Sequence, residues 1–165
     1  MTRSVCGSLC VIALLLLWTG AARADLSEAV QKKFKGQIMV SEGPLPETAA
    51  DDADQIRQLQ KAHTGVISHR KGESVPVWRF HFIAFMSKKP GATQVALDFY
   101  TDDKKKDFVA QERLTGIDPK LTMLQAQAEL SEDDGLSPGR SYVVKLTAEV
   151  KGKEIVLATT KLRTR

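Results

Sequence analysis

Cysteine is nearly missing from this chain: 165 residues contain two, Cys6 and Cys10, both close to the start. Beyond them there is no thiol for a disulfide, a cysteine-zinc site, a thiol nucleophile or a redox pair. Long apolar runs are equally scarce. The longest, Val11 to Trp18, is well short of the ~20 residues needed to cross a bilayer. No G-x-S-x-G occurs, no glycine cluster sits between a strand and a helix to hold phosphates, and no D-x-D-x-D-G order offers a calcium loop. An excess of charge is missing too. Once Arg3 and Arg23 are set aside with the leader described next, 22 basic residues face 20 acidic ones, and the net charge falls from +4 to +2. Nucleic-acid and membrane-surface binders need clustered positive charge, so neither role is expected.

What the first 24 residues do contain is a processing signal. Arg3 supplies a positive start, Val11 to Trp18 an apolar stretch, and Ala22-Arg23-Ala24 a small-x-small site before Asp25, the pattern of a cleaved secretory signal peptide. Residues 1–24 are therefore expected to be removed on export. Both cysteines leave with them, and because both precede the apolar stretch, lipid attachment after it is not expected. The 141 residues that remain fit one core and must be stabilised by packing alone.

Two zones follow. Residues 25–64 are polar and poor in aromatics. Leu26 to Phe34 can form a short amphipathic helix, Gln37 to Ser41 a strand, and Gly43-Pro44-Leu45-Pro46 breaks the pattern. Thr48 can cap a helix that carries Asp51, Asp52 and Asp54 at its positive end and Ala49, Ala53, Ile56 and Leu59 on its inner face. From residue 65 to 165 the hydrophobic period becomes two. A strand is expected over Val66 to His69, then, past a turn at Lys71-Gly72-Glu73, a long one over Val75 to Met86. It points Trp78, Phe80, Phe82, Ala84 and Met86 one way and Arg79, His81, Ile83 and Phe85 the other. After Lys88-Lys89-Pro90-Gly91 the chain returns as Gln94 to Thr101, with Val95, Leu97 and Phe99 inward and Gln94 and Asp98 outward. Six of the nine aromatics beyond residue 24 lie between Trp78 and Tyr100, so this hairpin is expected to centre the core on Trp78, Phe80, Phe82 and Phe99. Phe108 to Leu114, Leu121 to Leu130, Tyr142 to Val150 and Glu154 to Leu162 read as further strands, separated by turn residues. The expected fold is mainly β: an antiparallel sandwich of about seven strands with one short helix before it.

Gly135-Leu136-Ser137-Pro138-Gly139-Arg140-Ser141-Tyr142 resembles the L-x-P-G-x-x-Y stretch of fibronectin type III and related immunoglobulin-like domains. The resemblance implies a tyrosine corner: Leu136 plugs the core, Pro138-Gly139 turns the chain, and the Tyr142 hydroxyl bonds backbone a few residues upstream. Val144, Leu146, Ala148 and Val150 then alternate as that family's next strand does. The chain departs from the family in its single downstream Trp, which sits on the long strand, and in the polar segment ahead of the sandwich. The whole is similar to small exported bacterial proteins of this architecture, a likeness that carries no activity with it.

Three candidate sites remain. His63, His69 and His81 are the only imidazoles, and their spacing is not that of a helical ligand pair, so hydrogen-bonded structural roles are expected rather than zinc. Glu132-Asp133-Asp134 is expected to be an acidic turn rather than a calcium loop. Lys104-Lys105-Lys106, flanked by Asp102, Asp103 and Asp107, reads as a solvated turn. Ser68-His69 and His63-Thr64 are neighbours in sequence only, which does not set a nucleophile against a base. The expectation is an exported, non-enzymatic interaction module of the envelope or extracellular space, without cofactor or metal and with a protein partner. A ligand- or carbohydrate-binding role, with Tyr100 or Trp78 as a platform, is the alternative, and a hydrolase built on the histidines a more distant one.

Overall fold

A computed structural model of the chain describes residues 26–70, 72 and 74–165. The leader, with Cys6 and Cys10, lies outside the described residues, as do Lys71 and Glu73 of the expected turn. The described chain is mainly β, with eight strands in two sheets and two helices. In chain order these are α1 (Glu28–Lys33), β1 (Ile38–Ser41), α2 (Asp52–Ala62), β2 (Val66–Ile67), β3 (Val77–Phe85), β4 (Gln94–Thr101), β5 (Phe108–Thr115), β6 (Met123–Ser131), β7 (Ser141–Val150) and β8 (Lys153–Thr164). One sheet runs β1-β3-β6 and the other β2-β8-β7-β4-β5. The pairings between these strands are antiparallel except β2 with β8, and an isolated parallel bridge joins Gln37 to Thr159.

The long strand β3 explains how the layers form. Its period of two sends Trp78, Phe80, Phe82, Ala84 and Met86 into the space between the sheets. There they meet Val95, Leu97 and Phe99 of β4, Leu124, Ala128 and Leu130 of β6 and Val144 and Leu146 of β7. Phe80 packs edge-on against Phe99 with ring centres 6.4 Å apart, an arrangement aromatic pairs favour beyond the area they bury. The opposite face of β3 is apolar only at its far end. Ile83 and Phe85 join Met39 and Met123 in a second core, closed by Leu26, Val30 and Phe34 of the α1 segment and by Leu59 of α2. The three-stranded sheet is thus apolar on both faces where the helices lie over it. Nearer the start of β3, Arg79 faces Glu129 directly across the strands and forms an ion pair with it.

Two helices are present where one was expected in the overall layout, and the second begins later than its sequence suggested. Asp51, not Thr48, is its N-cap, accepting from the Asp54 N–H at 2.8 Å. The reason lies in the breaker: Pro46 holds the chain in a loop, and its carbonyl accepts a 2.7 Å bond from the Gln55 amide. Gln55 and Leu59 consequently form the buried face with Ile56 packed beside them, while Ala53 is exposed. The strand expected at Gln37 to Ser41 does not stand apart, for Ile38–Ser41 pairs with Ala84 to His81 of β3. A two-residue turn at Lys151-Gly152 joins β7 to β8, both residues having φ near the left-handed region, 53° and 72°, the geometry that matches the twist of a tight hairpin.

Candidate functional site: the outer face of the five-stranded sheet

Helices and the partner sheet cover both faces of the three-stranded sheet near its apolar end. Among the described residues nothing is layered over the outer face of the five-stranded sheet. Alternation along β4, β5 and β7 puts Ala96, Asp98 and Tyr100, Gln111 and Arg113, and Lys145, Thr147 and Glu149 on that face, opposite the core set. A groove of about 560 Å³ runs across it, walled by Gln94, Gln111, Arg113, Thr147, Glu149 and Glu154 and opened by the small Ala92, Ala96 and Gly152.

Asp98 is the centre of this face. It points outward, as its phase along the strand requires, yet it is only 2% exposed. Its two carboxylate oxygens accept from the Thr147 hydroxyl at 2.6 Å and the Gln111 amide at 2.7 Å. Gln111 in turn accepts from Arg113 Nε at 2.6 Å. A buried carboxylate without such donors would be costly. With them, the chain Arg113, Gln111, Asp98, Thr147 spans β5, β4 and β7 and fixes the Arg113 guanidinium at the groove wall. Nothing in the pattern of β4 alone signals this, because every partner is on another strand.

Tyr100, named above as a possible platform, stands on the outer face, half-buried, with Phe108 edge-on at 5.8 Å and Lys145 Nζ 4.1 Å above its ring. Burial first, then the charges of Asp98 and Glu154, push its hydroxyl pKa up. Phe108 is 57% exposed. The neighbouring lysine turn is held by Asp103, whose carboxylate accepts from the N–H groups of Lys105 and Lys106. Those bonds and one to Thr101 hold its pKa down.

The other residues singled out from sequence are placed as follows. Trp78, Phe80, Phe82 and Phe99 are fully buried. Leu136 is buried, and the Tyr142 hydroxyl accepts from the Ser137 N–H at 2.7 Å. A second clamp on Ser137 has no local signal in the sequence: buried Thr164 donates its hydroxyl to the Ser137 carbonyl at 2.5 Å. Tyr142→Phe is expected to lower stability by about 1 kcal/mol, the usual net value of one hydrogen bond; a superimposable denaturation curve would show that the hydroxyl contributes nothing.

The histidines are not brought together into a site. His63 Nδ1 accepts from the Val40 N–H at 3.0 Å, His69 Nδ1 lies 2.9 Å from the Arg165 carbonyl and edge-on to Trp78, and His81 stands on β3 opposite Ser41 and Gln127. Glu132, Asp133 and Asp134 form a single 3-10 turn. The Asp134 carboxylate is turned back onto the Ser131 N–H and hydroxyl, both at 2.7 Å, which holds its pKa down. Among the described residues no three His, Cys, Asp or Glu side chains gather as metal ligands do, and no helix is long and apolar enough to cross a membrane. Comparison with protein-family models matches none, and comparison with curated proteins finds no significant relative.

Proposed function

We propose that this chain is an exported, non-enzymatic immunoglobulin-like module that binds a protein partner through the outer face of its five-stranded sheet. The observation that carries the binding reading is the Asp98 network, which holds Arg113 at the wall of an open groove on a broad sheet face that no other layer of the described residues covers. The same network argues against catalysis at this place. Both Asp98 oxygens are engaged by donors within the fold, and the described residues that line the groove include no histidine to pair with a nucleophile.

The immunoglobulin-like reading draws on the strand order, three against five with the N-terminal strands divided between the sheets, and on the Tyr142 bond at the entry to β7. Export draws on the leader. Leu26 is buried and Ser27 caps α1, so the fold engages the chain just after the Ala24–Asp25 bond. A protein partner is favoured over a glycan by the aromatics. Trp78 is inaccessible, and Tyr100 and Phe108 meet edge-on at 75° with a lysine above the tyrosine, so they form no flat platform for a sugar ring.

The test is affinity capture from the native envelope and culture medium with the isolated protein, in parallel with Arg113→Glu. The reading requires that a partner be retained by the parent protein and lost by the variant, and that the isolated protein begin at Asp25. Equal retention by both, or a protein that keeps its leader, contradicts it.

A further inference from the structure

The free edge of the five-stranded sheet carries an inward-pointing charge, one of the devices by which edge strands resist unwanted pairing. In β5 the register pairs Ala110 with Phe99, Glu112 with Leu97 and Leu114 with Val95. These three residues therefore share the core-facing side. Ala110 is buried and Leu114 packs against the core, as does Val109 beside the strand irregularity near Phe108. Glu112 lies between them, half-buried. Among the described residues no hydrogen bond or ion pair reaches its carboxylate. Its charged neighbour is Asp134, an anion, and burial first and then Asp134 push the Glu112 carboxyl up. An ionised group so placed works against folding at neutral pH, and what it supplies in return is a guard on the open edge.

The edges around it are open. Among the described residues β5 pairs only with β4, and β6, the edge of the other sheet, pairs only with β3. Apart from Val109, whose carbonyl the Gly135 turn approaches, β5 ends the sheet with one row of backbone donors and acceptors that no strand takes up, which is the template for adding a strand. A second copy of the chain does not suit it. Two β5 strands paired antiparallel in a continuous sheet set core-facing residues opposite core-facing residues. Glu112 would then meet Glu112, Ala110 or Leu114 of the other copy. Arg113, the only cation of the strand, points to the groove on the opposite face and never comes opposite Glu112. Like charges or an uncompensated carboxylate in the joint are both unfavourable.

We propose that the free edge of β5 is a docking site for an extended segment of a partner protein that carries a lysine or arginine facing Glu112 and Asp134, with apolar residues two positions to either side. The incoming backbone takes up the unmatched groups of β5, the flanking apolar side chains cover Ala110, Val109 and Leu114, and the cation neutralises the one group that otherwise guards the edge. Glu112 thereby rejects self-pairing and selects the partner. This rests on the binding reading given above and names the chemistry of the partner.

The probe is a pair of synthetic peptides about nine residues long, a length natural strands reach, alternating valine and threonine, with the central valine replaced by lysine in one and by glutamate in the other. Binding is followed by amide chemical shifts and hydrogen exchange of Phe108–Thr115 in the isolated protein. The lysine peptide should protect β5 amides and bind roughly tenfold more tightly than the glutamate peptide, the scale of a partly buried charge pair. Glu112→Lys should reverse the preference, and Glu112→Gln, which keeps the side chain's shape, should abolish it and serves if the lysine variant does not fold. Absence of binding at β5, equal binding of the two peptides, or a preference unchanged in Glu112→Gln overturns the proposal. A captured partner that protects Gln94 to Asp98 and Lys145 to Thr147 and leaves Phe108–Thr115 unprotected would remove this inference while leaving the binding module in place.

Discussion

Phe82→Ala is expected to remove about 3–5 kcal/mol of stability, the range for deleting a fully buried phenylalanine side chain. Phe82 lies midway along β3, fully buried, with Phe80 centred 6.3 Å away and Leu124, Leu130 and Phe99 in the same apolar cluster. No disulfide among the described residues supports the core, so packing has nothing covalent behind it. Domains of this size are stable by about 5–15 kcal/mol in all, and the loss is a large part of that. The measurement is the urea midpoint of the variant against its parent, with the slope of the transition compared as well. A fall in midpoint at constant slope is the expected result. A loss under 1 kcal/mol would mean that Phe82 is not enclosed between the sheets as described.

Gly135→Ala is expected to cost about 2–4 kcal/mol, combining positive-φ strain with an overpacked contact. Gly135 ends the acidic turn with φ 107°, and a Cβ there would stand 2.8 Å from the Val109 carbonyl oxygen of β5 and 3.3 Å from Val109 Cγ1. A backbone oxygen held in an edge strand cannot move aside without disturbing the strand. Gly139 supplies the control. Its φ is 75°, but nothing lies within 4 Å of an added Cβ, so Gly139→Ala should cost about 1 kcal/mol, for the left-handed backbone alone. The difference between the two variants measures the close approach of the turn to β5. Equal losses would show that the turn does not touch the strand, and would also separate Asp134 from Glu112.

What could be read from sequence was whatever a single element carries in itself. Alternation through Trp78, Phe80 and Phe82 specified both a strand and its buried face, because large apolar residues at period two have no other comfortable arrangement. The Leu136 to Tyr142 stretch was legible for the same reason, its hydrogen bond being five residues long. Thr164 was not, since it reaches Ser137 from 27 residues away. Asp98 shows the limit more sharply. Its position in β4 correctly places it on the outer face, but its burial comes from Gln111 and Thr147, 13 and 49 residues distant, and no local pattern encodes which strands become neighbours. Glu112 belongs to the same class. Its core-facing phase follows from alternation, whereas the open edge beside it follows from the strand order alone. The late start of α2 arose from competition, the Pro46 carbonyl and Asp51 side chain overriding a plausible cap at Thr48.

The groove, the Asp98 network and the free β5 edge adjoin one another, so one experiment addresses all three. The captured partner, added to isotope-labelled protein, should shift and protect the backbone amides of Gln94 to Asp98, Phe108 to Arg113 and Lys145 to Thr147, leaving those of α1 and α2 unchanged. Perturbation confined to the helices, with the outer face of the five-stranded sheet unaffected, would contradict a binding role for that face.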